Sequence, residues 1–317
     1  MRILVTGGAG FIGSHLSERL LRDGHEIAII DELNDFYAPA MKRGNLAEIA
    51  TTGAVRFYEN DICDEAAVGR VFAEARPEAV IHLAARAGVR PSLEQPLLYE
   101  AANIRGTMVL LEAARTTGVR KFLFASSSSI YGASTHVPFS ETDWDTLPIS
   151  PYAATKMAGE KICYTYTHLY KLPVLCLRFF TVYGPRQRPD LAIRKFTSLI
   201  DAGKPIPVFG DGSTSRDYTY VEDTVSGILA ALHHDAMYDI FNLGNSAPVK
   251  LLELIRLIET NLGKKAEIKW LPDQPGDVPI TYADIDKAKR VLGYDPQTPM
   301  AEGIRKFVEW YRATKGN

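Results

Sequence analysis

The 317-residue chain predicts an α/β fold: a doubly wound parallel sheet followed by a smaller α/β unit. Three observations point there. Short apolar runs alternate with helical stretches through the first half, and these runs are continuous, as in strands covered on both faces. The first run, Ile3–Thr6, passes directly into the glycine turn GGAGFIG and then into a helix. An acid, Asp31, closes the second run.

In order, strands are expected at Ile3–Thr6, Ile27–Ile30, Val55–Tyr58, Ala79–Ala84, Phe122–Ala125 and Val174–Arg178. Helices are expected at Phe11–Arg22, Glu65–Ala75, Leu97–Thr117 and Pro151–Tyr170. After Gly184 the alternation fades. Pro185–Pro189 is rich in Pro and Arg, a helix follows at Ile193–Ala202, then short strands and turns, then helices near Lys250–Leu262 and Ala301–Lys315. The tail from Thr314 to Asn317 is expected to fray. The division falls at 1–184 and 185–317, with some crossing of the chain between the two. In such a sheet the ligand belongs at the carboxyl ends of the strands.

Composition narrows the function. Apolar residues make up 46% and charged residues 23%, with a formal net charge of -2, which argues against a dedicated nucleic-acid binder. An anionic ligand must then be held by placed Arg residues, helix ends or backbone amides. Cys63, Cys163 and Cys176 form no CxxC pair and have no His at ligand spacing. No metal site or disulfide is expected, and the thiols suit a reducing, cytoplasmic setting. No run of 18 apolar residues suggests a membrane span, and MRILVTGGAG reads as a strand and turn rather than a signal peptide.

Gly7, Gly10 and Gly13 stand as GxxGxxG between a strand and a helix. Such glycines let backbone amides approach a pyrophosphate at a helix N-terminus. Asp31 can hydrogen-bond both hydroxyls of an adenosine ribose and would repel a 2′-phosphate, with Glu32 adding to that repulsion, so the expected cofactor is NAD. Asp61, ending the third strand, is placed to reach the adenine edge or to serve as a turn aspartate.

Tyr152 and Lys156 form YxxxK, a spacing that puts both on one helical face. An ammonium and a positively charged nicotinamide would favour the phenolate, making Tyr152 a proton acceptor and donor at a sugar hydroxyl. Ser126–Ser129 follow a strand end, where a serine can bond the same oxygen.

GGAGFIG, HLAA at His82–Ala85, SSSSIYG, YAATK and RDYTYVED at Arg216–Asp223 occur in this order over essentially the whole chain. In this the chain resembles the extended short-chain dehydrogenases/reductases, specifically their nucleotide-sugar epimerases. The resemblance implies a Rossmann-type NAD domain and the catalytic trio Ser127, Tyr152 and Lys156. It implies cofactor contacts at Phe11, Ile12, Asn34, Ile62, Leu83, Ala84 and Ala85 beside those above, with Asn103 supporting the fold near the cofactor. Dehydratases of the family carry Asp-Glu, and decarboxylases a Glu, where Ser128 and Ser129 stand. Hydroxyls cannot do that acid–base work, which leaves 4-epimerisation.

The stretches Asn34–Tyr37, AGVR at Ala87–Arg90, RFFTVYGPRQRPD at Arg178–Asp190 and QPGDV at Gln274–Val278 are similar to UDP-glucuronate 4-epimerases. UDP-galactose 4-epimerases resemble the chain less well, tending to Asn at Thr181 and Arg at Gln274. The resemblance implies that Ser128, Ser129 and Thr181 hold the sugar carboxylate, with Arg188 nearby. Arg216 is expected at the diphosphate, Asp277 at a ribose hydroxyl, Phe209 near uracil and Arg90 on the substrate. The alternatives are a UDP-glucose/UDP-galactose or N-acetylhexosamine 4-epimerase and, in another class, a non-catalytic NAD-binding regulator. The family is often dimeric, with the helices at Leu97–Thr117 and Pro151–Tyr170 as candidates for pairing.

Overall fold

Seven short segments rich in branched and aromatic residues pair as one parallel sheet, and all but the edge segment Val55–Tyr58 are buried along most of their length. In chain order they are β1 (Arg2–Thr6), β2 (Glu26–Ile30), β3 (Val55–Tyr58), β4 (Ala79–His82), β5 (Lys121–Ser127), β6 (Val174–Phe179) and β10 (Tyr238–Leu243). The sheet order is β10-β6-β5-β4-β1-β2-β3. The order reverses between β1 and β4, opening a crevice at their carboxyl ends. The computed structural model describes residues 1–143, 145–272 and 278–314.

Helices cover both faces. One core packs α1 (Phe11–Arg22), α2 (Pro39–Thr52), α9 (Val221–His233) and α11 (Asp286–Leu292) on the sheet through residues such as Leu16, Ile49, Ile228 and Ala288. The opposite core packs α3 (Glu65–Ala75), α6 (Gly106–Thr117) and α7 (Pro151–Tyr170) through Val68, Leu110 and Cys163. A third core belongs to the smaller unit. There β7 (Thr181–Tyr183), β9 (Ser215–Tyr220) and β11 (Pro248–Lys250) form one sheet, and β8 (Ile206–Phe209) pairs with β12 (Ile268–Leu271). Around them lie α8 (Ala192–Asp201), α10 (Leu251–Leu262) and α12 (Met300–Thr314).

Several elements differ from the sequence expectation. The helix expected at Leu97–Thr117 is α5 (Pro96–Glu100) and α6 joined by a π-helical stretch, Ala101–Arg105, and a short α4 (Val89–Glu94) precedes it. The strand expected to end at Ala125 continues to Ser127, so Ser126 lies within β5. α2 and α9 were not expected, and β10, late in the chain, returns to the large sheet. Among the described residues no helix is long and apolar enough to cross a membrane, and no group of His, Cys, Asp and Glu is arranged to hold a metal ion.

His82, at the end of β4, is buried in a hydroxyl network. Its Nδ1 lies 2.7 Å from Thr6 Oγ1 and its Nε2 3.0 Å from Thr107 Oγ1. Thr107 donates to the Asn103 carbonyl at 2.6 Å, so it accepts from Nε2–H, and Thr6 donates to Nδ1. Burial, aided by the Lys156 charge, pushes the His82 pKa from 6.5 down to about 3. The unfolded chain therefore takes up a proton below pH 6.5 that the folded chain refuses, and stability falls as pH drops through that range. The expected contribution is about 1.4 kcal/mol per pH unit. Urea unfolding between pH 7 and 5 checks it: His82→Gln should show a shallower acid decline than the parent, and equal slopes would contradict the assignment.

Candidate active site

The glycine turn closes on itself because side chains are absent. Gly7 has φ 68°, and a Cβ there would stand 2.7 Å from the Ala84 nitrogen. A Cβ on Gly13 would meet the Gly7 carbonyl oxygen at 2.2 Å. With Gly10 as N-cap and no side-chain cap on α1, the first-turn amides face the crevice as a ready phosphate cradle.

Asp31 sits just past β2. Its Oδ2 accepts from Ala9 N at 3.2 Å and Oδ1 from Leu33 N at 3.0 Å. Burial raises its pKa, opposed by those amides and by the charge of Lys42. Lys42 Nζ donates at 2.9 Å to both the backbone and side-chain oxygens of Asn34. Beside Asp31, Glu32 pairs with Arg86 at 3.6 Å and accepts from Asn34 at 2.5 Å, and its negative charge adds to the rise of the Asp31 pKa. Asp61 takes the turn role as well, accepting from Cys63 N at 2.9 Å.

These groups line one cleft of about 360 Å3, within the ~300–1,000 Å3 of small-molecule sites. Gly7, Gly10, Phe11, Ile12 and Gly13 form its floor with Asp31 and Asn34. Asp61, Ile62, Leu83, Ala84 and Ala85 continue the wall, and Ser127, Ser128, Ser129, Tyr152, Lys156, Thr181 and Arg188 complete it. Phe36, Tyr37, Lys42 and Arg86 also line it; of these, Lys42 carried no signal in the sequence.

Asn103 stays outside the wall but holds it. Its Oδ1 accepts from Arg86 N at 2.8 Å, and its Nδ2 donates to Arg86 O and Thr155 Oγ1, both at 3.0 Å. The π-helical stretch thus ties the loop after β4 to α7. The structure does not bring Arg90, Phe209 or Arg216 to the cleft wall. Arg90 lies over the Phe209 ring, 4.7 Å from its centroid, and Arg216 donates to the Ser215 carbonyl at 2.9 Å. Asp277 and Gln274 lie outside the described residues, as does the chain beyond Thr314.

Ser150 and Pro151 start α7: the Ser150 hydroxyl accepts from Ala153 N at 3.2 Å, and proline suits the first helical position. Tyr152 thereby falls in the first turn, beside the carboxyl end of β5, with Tyr99 edge-on at 6.1 Å between centroids. α7 rides close on β5 because residue 159 is glycine; a Cβ there would stand 2.4 Å from the Phe124 ring. Lys156 Nζ reaches the Ala125 carbonyl at 2.7 Å, and burial lowers its pKa to about 8. The expected pull of Lys156 on Tyr152 is not what dominates here. Burial raises the Tyr152 pKa, and hydrogen bonding with Ser127 and the Arg188 charge pull it partly back. The Ser127 hydroxyl also accepts from Ser129 N at 3.1 Å.

Beneath this trio lies a buried polar chain. The Glu160 carboxylate, one turn beyond Lys156, accepts from Arg178 Nε and Nη2, both at 2.9 Å, and from Ser126 Oγ at 2.5 Å. Arg178 Nη1 donates to Tyr131 OH at 2.9 Å, which donates to Asn242 Oδ1 at 2.7 Å. In the smaller unit, buried Asp217 accepts from the backbone of Asn245, Ser246 and Ala283 at 2.7–3.0 Å.

A seven-stranded parallel sheet, a glycine turn with an acid after the second strand, and a Ser–Tyr–Lys trio at the switch point define a dinucleotide-dependent enzyme of the extended short-chain type. The chain belongs to the family whose model is described as GDP-mannose 4,6 dehydratase, matched over residues 4–307. It is 44% identical to UDP-glucuronate 4-epimerase of Thermodesulfobacterium geofontis, covering 97% of this chain and 95% of that protein. It is 42% identical to protein CapI of Staphylococcus aureus, covering 98% of each. Among solved structures, UDP-glucuronic acid 4-epimerase of Bacillus cereus in complex with UDP-glucuronic acid and NAD matches with a TM-score of 0.93 and 35% identity over 99% of both chains. UDP-glucose 4-epimerase of Thermotoga maritima with UDP-glucose matches with a TM-score of 0.91 and 36% identity, again over 99% of both.

Proposed function

We propose that this chain is an NAD-dependent UDP-sugar 4-epimerase whose substrate is UDP-glucuronate and whose product is UDP-galacturonate. One observation carries the substrate choice: the cleft that Tyr152 lines is also lined by Ser128, Ser129 and Thr181 together with Arg188. Three hydroxyls and a cation suit a carboxylate at carbon 6. The same wall has no carboxylate at residues 128 and 129, so the acid–base pair for 4,6-dehydration is missing despite the family's name.

The cleft fits NAD through its phosphate cradle, Asp31 and a helix N-terminus free of side-chain caps. NAD when bound supplies a hydride acceptor and donor and a positive ring. Tyr152, with the Ser127 hydroxyl beside it, takes the proton from the carbon 4 hydroxyl and returns it to the carbon 4 oxygen once the keto sugar has turned its opposite face to the cofactor side. Lys156 holds α7 against β5 and adds positive charge below its pKa of about 8. We assign residues 1–184 mainly to the dinucleotide and 185–317 mainly to the nucleotide sugar. The Arg90–Phe209 stack and Arg216 are the candidates for uracil and diphosphate. We further propose a cytoplasmic homodimer. The exposed Leu93, Leu97 and Leu98 beside α5, and Tyr164 on α7, give it an apolar seam.

A 4-keto glucuronate is a β-keto acid and loses carbon dioxide easily. A firm hold on the carboxylate keeps it out of the orientation that decarboxylates. Thr181→Ala is therefore expected to release UDP-pentose alongside UDP-galacturonate, detected by proton NMR. Unchanged epimerisation with no pentose would remove Thr181 from that role.

A further inference from the structure

Arg188 reaches the cleft from the turn after β7, and its guanidinium is held from behind. Nε donates to Asp190 Oδ1 at 3.0 Å and Nη2 to Oδ2 at 2.9 Å, a two-pronged ion pair. The Phe36 ring lies alongside, 5.2 Å from Cζ to its centroid. Nη1 has no hydrogen-bond partner among the described residues. Arg188 and Leu191 line the cleft while Asp190 does not, and the turn is closed by Leu191 N donating to Arg188 O at 3.3 Å. Burial works against the Arg188 charge, and the bonds to Asp190 outweigh it and raise its pKa.

We propose that Asp190 is a positioning residue that sets the direction and limits the strength of Arg188's hold on a sugar carboxylate. This rests on the UDP-glucuronate reading above. A lone guanidinium in a partly dry pocket would clamp a carboxylate with a two-pronged pair of its own. Asp190 occupies one edge of the fork and answers most of the charge, leaving the Nη1 edge for the sugar. An epimerase needs that moderation. The 4-keto sugar must swing to present its other face, and an interaction that binds the ground state as tightly as the intermediate lowers KM without raising turnover.

The test compares the parent, Asp190→Asn and Asp190→Glu. Dissociation constants for UDP-glucuronate and for neutral UDP-glucose come from calorimetry, and kcat from product formation across pH. Asp190→Asn should tighten UDP-glucuronate about fivefold relative to UDP-glucose. It should also lower kcat on UDP-glucuronate and move the acid limb of the pH profile to lower pH, because Arg188 already acts on Tyr152. Asp190→Glu should restore the parent's ratio. An unchanged ratio, or equal weakening of both sugars, overturns the proposal. The Asp190 side chain is 40% exposed, and Asp190→Ser provides a second neutral variant should the first not fold. A parent enzyme that makes no UDP-galacturonate defeats the substrate reading alone, since a shifted affinity ratio would still uphold the Asp190 role. A parent that makes it while the ratio stays flat defeats the Asp190 role alone.

Discussion

Tyr152→Phe is expected to lower kcat by roughly 10²–10⁴-fold, the usual worth of a placed general acid–base group, while the fold and cofactor content stay intact. The ring already has its place: Tyr99 packs edge-on against it and Ser150 fixes the first turn of α7. Phenylalanine keeps that packing and removes only the hydroxyl beside Ser127. Burial holds the phenol above its ordinary pKa, and the Ser127 hydroxyl that remains beside it is too weak an acid and base to take over the proton exchange. Steady-state turnover, thermal unfolding and the absorbance of retained cofactor, measured together, check this. A variant that retains parental turnover would remove Tyr152 from the chemistry.

Arg178→Met should give the largest loss of stability, about 3–5 kcal/mol. Glu160 is 1% exposed and its two oxygens take both prongs of Arg178. Removing the guanidinium strands a buried carboxylate and leaves Tyr131 without its donor. The charge itself is not required for folding, because an apolar pair of similar volume is often neutral. Arg178→Met combined with Glu160→Leu should therefore recover much of the loss. Urea midpoints of the two single variants and the double variant measure the coupling. Simple additivity would show that the pair acts as two independent groups.

The parts of this molecule legible in the sequence are those with local signatures. GGAGFIG combines a strand, a turn and a helix in a single stretch, and YxxxK needs only the helical repeat to align its two side chains. The parts that escaped depend on distant partners. The inward positions of α2 include Lys42, Asn45 and Ile49, two of them polar, because that face meets the cleft loops: Asn45 donates to the Ala9 carbonyl at 2.9 Å. A helix with such an interior shows no apolar stripe. α9 begins at the residue after β9, with no turn residues to announce it. β10 looks like any short strand, and only pairing with β6 places it in the large sheet. The π-helical break carries Asn103, whose partners Arg86 and Thr155 lie far from it in sequence. Asp217 was hidden behind its neighbour: Arg216 drew attention as a phosphate partner, whereas the aspartate is the residue that pins three backbone amides.

The activity proposed for this enzyme is 4-epimerisation of a carboxylated UDP-sugar with retained NAD. The most direct measurement incubates purified protein, without added NAD, separately with UDP-glucuronate and UDP-glucose, and follows the products by proton NMR. UDP-galacturonate from the first, with little UDP-galactose from the second, is the predicted result. UDP-galactose from the second with no UDP-galacturonate from the first would contradict it and take the carboxylate role away from Ser128, Ser129, Thr181 and Arg188.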